Sequence, residues 1–228
     1  MRIALTQSEG RLAGLADALT SRGHEVIRQP LIRTKPLLSK EVRERAERLL
    51  GCIWLLFTSP NAVEAWRALD LPLRNIHPKV GVVGERTAET VCAYGGVVSL
   101  IGNPQNAEGL AEAFLRQEVR GSVGLPRGNR SLETLQERLE AHSVQTFPIT
   151  IYETVTCPWL SEEVVDAVVL ASPSAAEALP GEVGKRARLI SLGPSTSAAI
   201  ARRGWRYTQA DAPNADAILR TFEIEEVA

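Results

Sequence analysis

The sequence has no surplus of either charge: its 228 residues carry 26 basic and 27 acidic side chains, a formal net charge of −1. A general nucleic-acid binder would show a basic excess, so that class is excluded. No stretch approaches about 18 uninterrupted apolar residues, so no membrane span is expected. The opening Met1-Arg2-Ile3-Ala4-Leu5-Thr6 runs straight into a strand-like segment, without the apolar region of a signal peptide. Cysteines are few. Cys52, Cys92 and Cys157 are odd in number, far apart, and form no C-x-x-C pair. They suit reduced, mostly buried thiols in a cytoplasmic protein better than a disulfide framework. His24, His77 and His142 lack metal-ligand spacing, so no metal or redox cofactor is expected. A Walker loop is missing too, since Gly121-Ser122-Val123-Gly124 has no lysine after it, and there is no G-x-S-x-G elbow.

What is present is a regular alternation. With 44% hydrophobic residues the chain can bury a real core, and its length suits two ordinary domains. Short apolar runs predict strands at 2–6, 25–29, 52–57, 79–83, 97–100, 122–125, 144–147, 167–171, 188–192 and 206–210. Amphipathic stretches between them predict helices. Leu12, Leu15 and Leu19 form one stripe, and Leu132, Leu135 and Leu139 another. Further helices are expected at 39–50, 63–69, 87–94, 107–118, 195–203 and 215–222. Strand–helix alternation at this spacing means parallel sheets covered by helices, here about two sheets of roughly five strands.

The chain also repeats itself. Leu55-Leu56-Phe57-Thr58-Ser59-Pro60-Asn61-Ala62-Val63-Glu64-Ala65 matches Val168-Val169-Leu170-Ala171-Ser172-Pro173-Ser174-Ala175-Ala176-Glu177-Ala178. Gly84-Glu85-Arg86-Thr87 matches Gly193-Pro194-Ser195-Thr196, and Leu5 to Leu31 has a counterpart in Leu125 to Ile149. Residues 1–116 and 121–228 therefore read as two copies of one α/β unit. Two proline-bearing segments, about 30–36 and 148–155, are extended by composition and read as linkers able to pair as a two-stranded ribbon.

In parallel α/β sheets ligands meet the carboxyl ends of strands, where helix starts offer free N–H groups to anions. Five junctions qualify: Thr58-Ser59-Pro60, Gly84 to Thr87, Pro126-Arg127-Gly128-Asn129, Ala171-Ser172-Pro173, and Gly193 to Thr196. Ser59, Ser172, Thr87 and Thr196 fit ordinary N-caps equally well. Tyr152, in the second linker, fits either a packing residue or a phenol donor overlooking an inter-domain cleft.

Taken in order, these segments resemble the uroporphyrinogen-III synthase family. The resemblance is carried by Trp54-Leu55-Leu56-Phe57-Thr58-Ser59-Pro60-Asn61-Ala62-Val63, Gly84-x-x-Thr87-Ala88, Arg127-Gly128, Ile151-Tyr152-x-Thr154, Asp166-x-Val168-x-Leu170-x-Ser172-Pro173 and Leu192-Gly193-Pro194-x-Thr196. It implies two flavodoxin-like domains joined by a two-stranded linker, with the copies exchanging parts. The first domain would be 1–34 plus 153–228, and the second 37–148. It implies a cofactor-free lyase that cyclises hydroxymethylbilane to uroporphyrinogen III with loss of water and inversion of ring D. Tyr152 would assist hydroxyl loss. Ser59, Thr87, Arg127, Gly128, Ser172, Gly193 and Thr196 would contact substrate. A cytoplasmic monomer is implied, meeting only this substrate, its product and the preceding pathway enzyme, and neither nucleic acid nor membrane. Two positions depart from the family pattern: Ser197 stands where alanine is usual, and Arg188 where lysine is. A non-catalytic two-domain binding module for an anionic small molecule is the alternative, because α/β folds serve many functions.

Overall fold

A computed structural model of the chain describes residues 1–7, 12, 14–117, 121–161 and 164–223, with backbone only at Glu223. The chain divides into two compact units: Met1–Arg33 with Val155–Ala228, and Thr34–Thr154. Unit 1 begins with β1 (Arg2–Leu5), α1 (Leu15–Ser21) and β2 (Glu25–Arg28). β3 (Ile32–Pro36) carries the chain into unit 2. There follow α2 (Lys40–Glu47), β4 (Trp54–Phe57), α3 (Pro60–Ala68), β5 (Lys79–Val82), α4 (Glu85–Ala93) and β6 (Val98–Ile101). Unit 2 continues through α5 (Ala107–Leu115), β7 (Val123–Gly128) and α6 (Thr134–Glu140). The long β8 (Thr146–Thr156) leads back to unit 1. That unit is completed by β9 (Ala167–Leu170), α7 (Pro173–Ala178), α8 (Gly181–Arg186), β10 (Arg188–Ser191), α9 (Pro194–Arg202), β11 (Tyr207–Gln209) and α10 (Ala215–Glu223).

Unit 1 holds a parallel sheet in the order β2-β1-β9-β10-β11. In unit 2 the order is β3-β8-β7-β4-β5-β6, parallel from β8 to β6. The first order is that of flavodoxin-like sheets, 2-1-3-4-5. Unit 2 repeats it with β7 and β8 as the first two strands and β4, β5 and β6 as the rest. Each sheet thus joins the opening strands of one sequence copy to the closing strands of the other, which is the exchange the resemblance implies.

Both faces of each sheet are buried, which explains why the strands are unbroken apolar runs rather than alternating ones. In β9, Ala167 and Val169 enter the core on one face, and Val168 and Leu170 the core on the other. In β4, Leu55 and Phe57 pack on one side, and Trp54 and Leu56 on the other. Trp66, fully buried, meets the Phe57 ring edge-on at 5.9 Å and donates its indole N–H to the Pro72 carbonyl at 3.0 Å.

All ten predicted strand segments are strands. The two segments read as linkers do pair, as β3 and β8, and the boundaries between the units fall within these strands; the pair continues the six-stranded sheet at its edge. α7 appears in the sequence only as the helix start at Ser172-Pro173, and α8 has no counterpart among the predicted helices. At six residues each they are too short to show an apolar stripe. The thiols also differ from expectation, since only Cys52 is buried, while Cys92 is exposed and Cys157 half-buried. Residue 118 of one predicted helix lies outside the described residues.

Candidate active site

The predicted site residues stand at or just beyond the carboxyl ends of strands in both units, except Tyr152, which lies within β8. In unit 2, Ser59 follows β4 in extended conformation and caps α3, its Oγ accepting the Ala62 N–H at 3.2 Å. Ser172 repeats this after β9, with the Ala175 N–H at 3.2 Å. Proline occupies the first turn of both helices, where its missing N–H costs nothing. Gly84 and Gly193, not threonines, are the N-caps of α4 and α9. Thr87 and Thr196 sit three residues further in, only 2% and 3% exposed. The cap reading of these two threonines is therefore corrected.

The two glycine-started helices differ. At α4 the Gln105 side chain lies over the start, its Oε1 accepting the Glu85 N–H at 3.2 Å. A Cβ at Gly84 would lie 2.4 Å from that oxygen, so glycine is what lets Gln105 approach. At α9 nothing stands within 4 Å of a Cβ built on Gly193.

Tyr152, Ser59 and Gly128 come together. The Tyr152 and Ser59 hydroxyls are 3.1 Å apart. A Cβ at Gly128 would lie 2.4–2.8 Å from Cζ, Cε2 and Oη of Tyr152, so the ring rests on bare backbone. Tyr152 is 8% exposed, so its hydroxyl is held in place, and either hydroxyl of the pair can donate to the other. Arg127 is partly tied down: Nη1 donates to Gln136 Oε1 at 3.1 Å, and Nη2 lies 3.6 Å from Glu133 Oε1. In unit 1, Ser197 explains its own departure from the family pattern. Its Oγ lies 2.7 Å from Ser191 Oγ and 2.7 Å from Gln209 Oε1, a polar chain from the buried Ser191 to the exposed Gln209 that an alanine would break. Arg188 is held by the fold, its Nη2 donating to the Thr221 carbonyl.

The arrangement offers one placed phenol, serine caps, helix starts and a guanidinium. No strong nucleophile or base is among these groups. Among the described residues, no three His, Cys, Asp or Glu side chains gather as metal ligands would. A cavity of about 570 Å³ in unit 2 lies at the amino ends of β4, β7 and β8, with Arg45, Arg48, Cys52 and Phe147 in its wall, away from Tyr152. Sequence reasoning missed Gln105, and it placed Asn129 in a candidate junction without its contacts to β8. Neither role has a local signature, because each residue acts on a partner strand or helix.

The family model for uroporphyrinogen-III synthase HemD matches residues 13–220. The chain belongs to the uroporphyrinogen-III synthase family. It is 27% identical over 164 residues to the uroporphyrinogen-III synthase of Synechococcus elongatus, covering 68% of this chain and 61% of that protein. Its fold resembles the uroporphyrinogen-III synthetase of Helicobacter pylori, with a TM-score of 0.68, 19% identity, and 98% and 99% of the two chains covered. It also resembles a mutant uroporphyrinogen III synthase of Thermus thermophilus, with a TM-score of 0.66, 18% identity and 98% of each chain covered. Uroporphyrinogen-III synthases are cyclising lyases of tetrapyrrole biosynthesis, and this family member shares their two-domain α/β fold. No described helix is long and apolar enough to cross a membrane.

Proposed function

We propose that the protein cyclises hydroxymethylbilane to uroporphyrinogen III, losing water and inverting ring D. The observation that carries this reading to a mechanism is the Tyr152–Ser59 hydroxyl pair, 3.1 Å apart. Ser59 Oγ already accepts the Ala62 N–H, so its own proton is free to point at Tyr152 Oη. The Tyr152 proton then points outward, towards the departing hydroxyl of the substrate. The electron-rich pyrrole expels that hydroxyl, which takes the Tyr152 proton and leaves as water. The substituted carbon of ring D attacks the resulting azafulvene and gives a spiro intermediate. Fragmentation and reclosure deliver ring D inverted, and the proton lost on rearomatisation restores the phenol. Positioning supplies most of the acceleration, with one weak acid assisting.

The substrate carries eight carboxylates. In this reading they meet N–H groups at the starts of α3, α7 and α9, together with Arg127, and reach the start of α4 only by displacing Gln105. Ser172 and Gly193 are half-buried and offer their helix starts directly, whereas Thr87 and Thr196 are buried, and the Thr87 N–H already donates to the Gly84 carbonyl at 3.0 Å, so these two shape the helix starts from beneath. We place the enzyme in the cytoplasm as a monomer that takes its substrate from the preceding enzyme of the pathway.

Freshly made hydroxymethylbilane, incubated with the protein and resolved into isomers, tests the proposal. Isomer III is expected, and isomer I alone at the uncatalysed rate defeats it. Tyr152→Phe is expected to lower turnover several-fold to about a hundredfold. A rate unchanged by that substitution removes Tyr152 from the mechanism.

A further inference from the structure

β7 and β8 run in even register from Val123↔Thr146 to Arg127↔Thr150, and then Gly128 pairs with Tyr152. Ile151 is the extra residue. Such a bulge bends a strand and re-aims the side chains beyond it. In a regular strand Ile151 and Tyr152 would face opposite sides. Here they are 0% and 8% exposed, and both join the core that contains Phe57 and Val63. The bulge is thus what turns the phenol towards Ser59.

Asn129 spans the bulge. Its backbone N–H donates to the Tyr152 carbonyl at 3.1 Å, and its Oδ1 accepts the Thr154 N–H at 2.9 Å. Asn129 therefore grips β8 on either side of Glu153, directly after Tyr152, and holds the strand in the register that follows the extra residue. The turn that presents Asn129 is itself closed, Gly128 donating its N–H to Ser131 Oγ at 3.0 Å and accepting from the Ser131 N–H at 3.2 Å. Without the side-chain contact, the even register Gly128↔Ile151 becomes available. A one-residue slip sends Tyr152 to the opposite face.

We propose that Asn129 is a positioning residue that fixes the β8 bulge and so aims the Tyr152 phenol, with Gly128 as the bare surface under the ring. The inference rests on the role proposed above for Tyr152. Asn129 is exposed, so substitutions there leave the core intact.

Steady-state kinetics on Asn129→Ala, Asn129→Asp, Tyr152→Phe and the Asn129→Ala/Tyr152→Phe double variant test it. Asn129→Ala is expected to lower kcat roughly tenfold to a hundredfold, the scale of an ångström-sized misplacement, with KM within about twofold. Asn129→Asp keeps the accepting oxygen and restores kcat to within about threefold, although its charge raises KM for a polyanion. The double variant should be no slower than Tyr152→Phe alone. Fluorine NMR of 3-fluorotyrosine-labelled protein gives a reading independent of turnover. The Tyr152 resonance moves in Asn129→Ala and stays in Asn129→Asp. Full kcat or an unmoved resonance in Asn129→Ala, or losses that multiply in the double variant, overturns the positioning role while leaving Tyr152 in place. Full activity in Tyr152→Phe overturns both.

Discussion

Arg203 carries more of unit 1 than its place at the end of α9 suggests. Its Nη1 lies 2.9, 2.8 and 2.7 Å from the carbonyl oxygens of Ala176, Glu177 and Leu179, at the close of α7. Its guanidinium also stacks 3.9 Å above the Trp205 ring. α7 has only six residues and ends in an extended Leu179, so its last carbonyls have no helical partners. One nitrogen has two hydrogens, so the three acceptors amount to about two charge-assisted bonds, each worth roughly 1.5–3 kcal/mol net. Glu177 is exposed and water can replace its share, but Ala176 and Leu179 are 0% and 1% exposed. Stacking adds about 0.5–1 kcal/mol. With partial relaxation, Arg203→Met should cost about 3 kcal/mol. For a unit of roughly a hundred residues, that lowers the melting midpoint by about 10–20 °C. Calorimetry combined with urea unfolding followed by tryptophan emission measures it. Arg202→Met is the control, because Arg202 makes only an exposed 3.8 Å pair with Glu177, worth at most about 1 kcal/mol. A loss for Arg203→Met no larger than that of Arg202→Met would refute the capping argument.

Two further outcomes follow from local chemistry. Burial pushes the Cys52 thiol up, against a smaller lowering by the Ser122 hydroxyl, while Cys92 is exposed. A disulfide reagent should therefore label Cys92 in the native protein and reach Cys52 only on unfolding; equal labelling rates would contradict the packing. Tyr94 is raised above its ordinary range, chiefly because its hydroxyl donates to Glu64 Oε2. A raised folded-state value means that the contact's stabilisation is present below the ordinary tyrosine value of about 10 and fades as pH climbs through the higher one. Phenolate absorbance should show one late tyrosine, and Glu64→Gln should return it towards the ordinary range; a late tyrosine that persists in Glu64→Gln would sink the assignment.

Much of the architecture could be read from residue patterns because burial on both faces writes itself into composition. Val168-Val169-Leu170 and Leu55-Leu56-Phe57 could hardly be anything but central strands. The Ser-Pro pairs at 59–60 and 172–173 announced helix starts through cap chemistry that is local to four residues. Features set by a partner were not visible in this way. The segment 148–155 reads only as extended, and the extra residue at Ile151 exists only relative to β7. Thr87 and Thr196 look like caps until the glycines before them prove to hold that position. Arg127 looks free until α6 brings Gln136 beside it. Candidate site residues could therefore be named by motif, but their contacts could not.

β1 lies inside its sheet, between β2 and β9. The backbone N–H of Arg2 is accepted by the Asp166 carboxylate, 164 residues later. At about 5–20 residues per second, the ribosome takes on the order of ten to thirty seconds to make that stretch. All of unit 2 is synthesised meanwhile. Throughout that interval the β9-facing edge of β1, with its unpaired backbone groups and the apolar Ile3 and Leu5, has no partner of its own. The growing chain is thus open to mispairing at β1 until β9 emerges, and unit 1 must wait for its later strands, whereas unit 2 can fold while those are still being made.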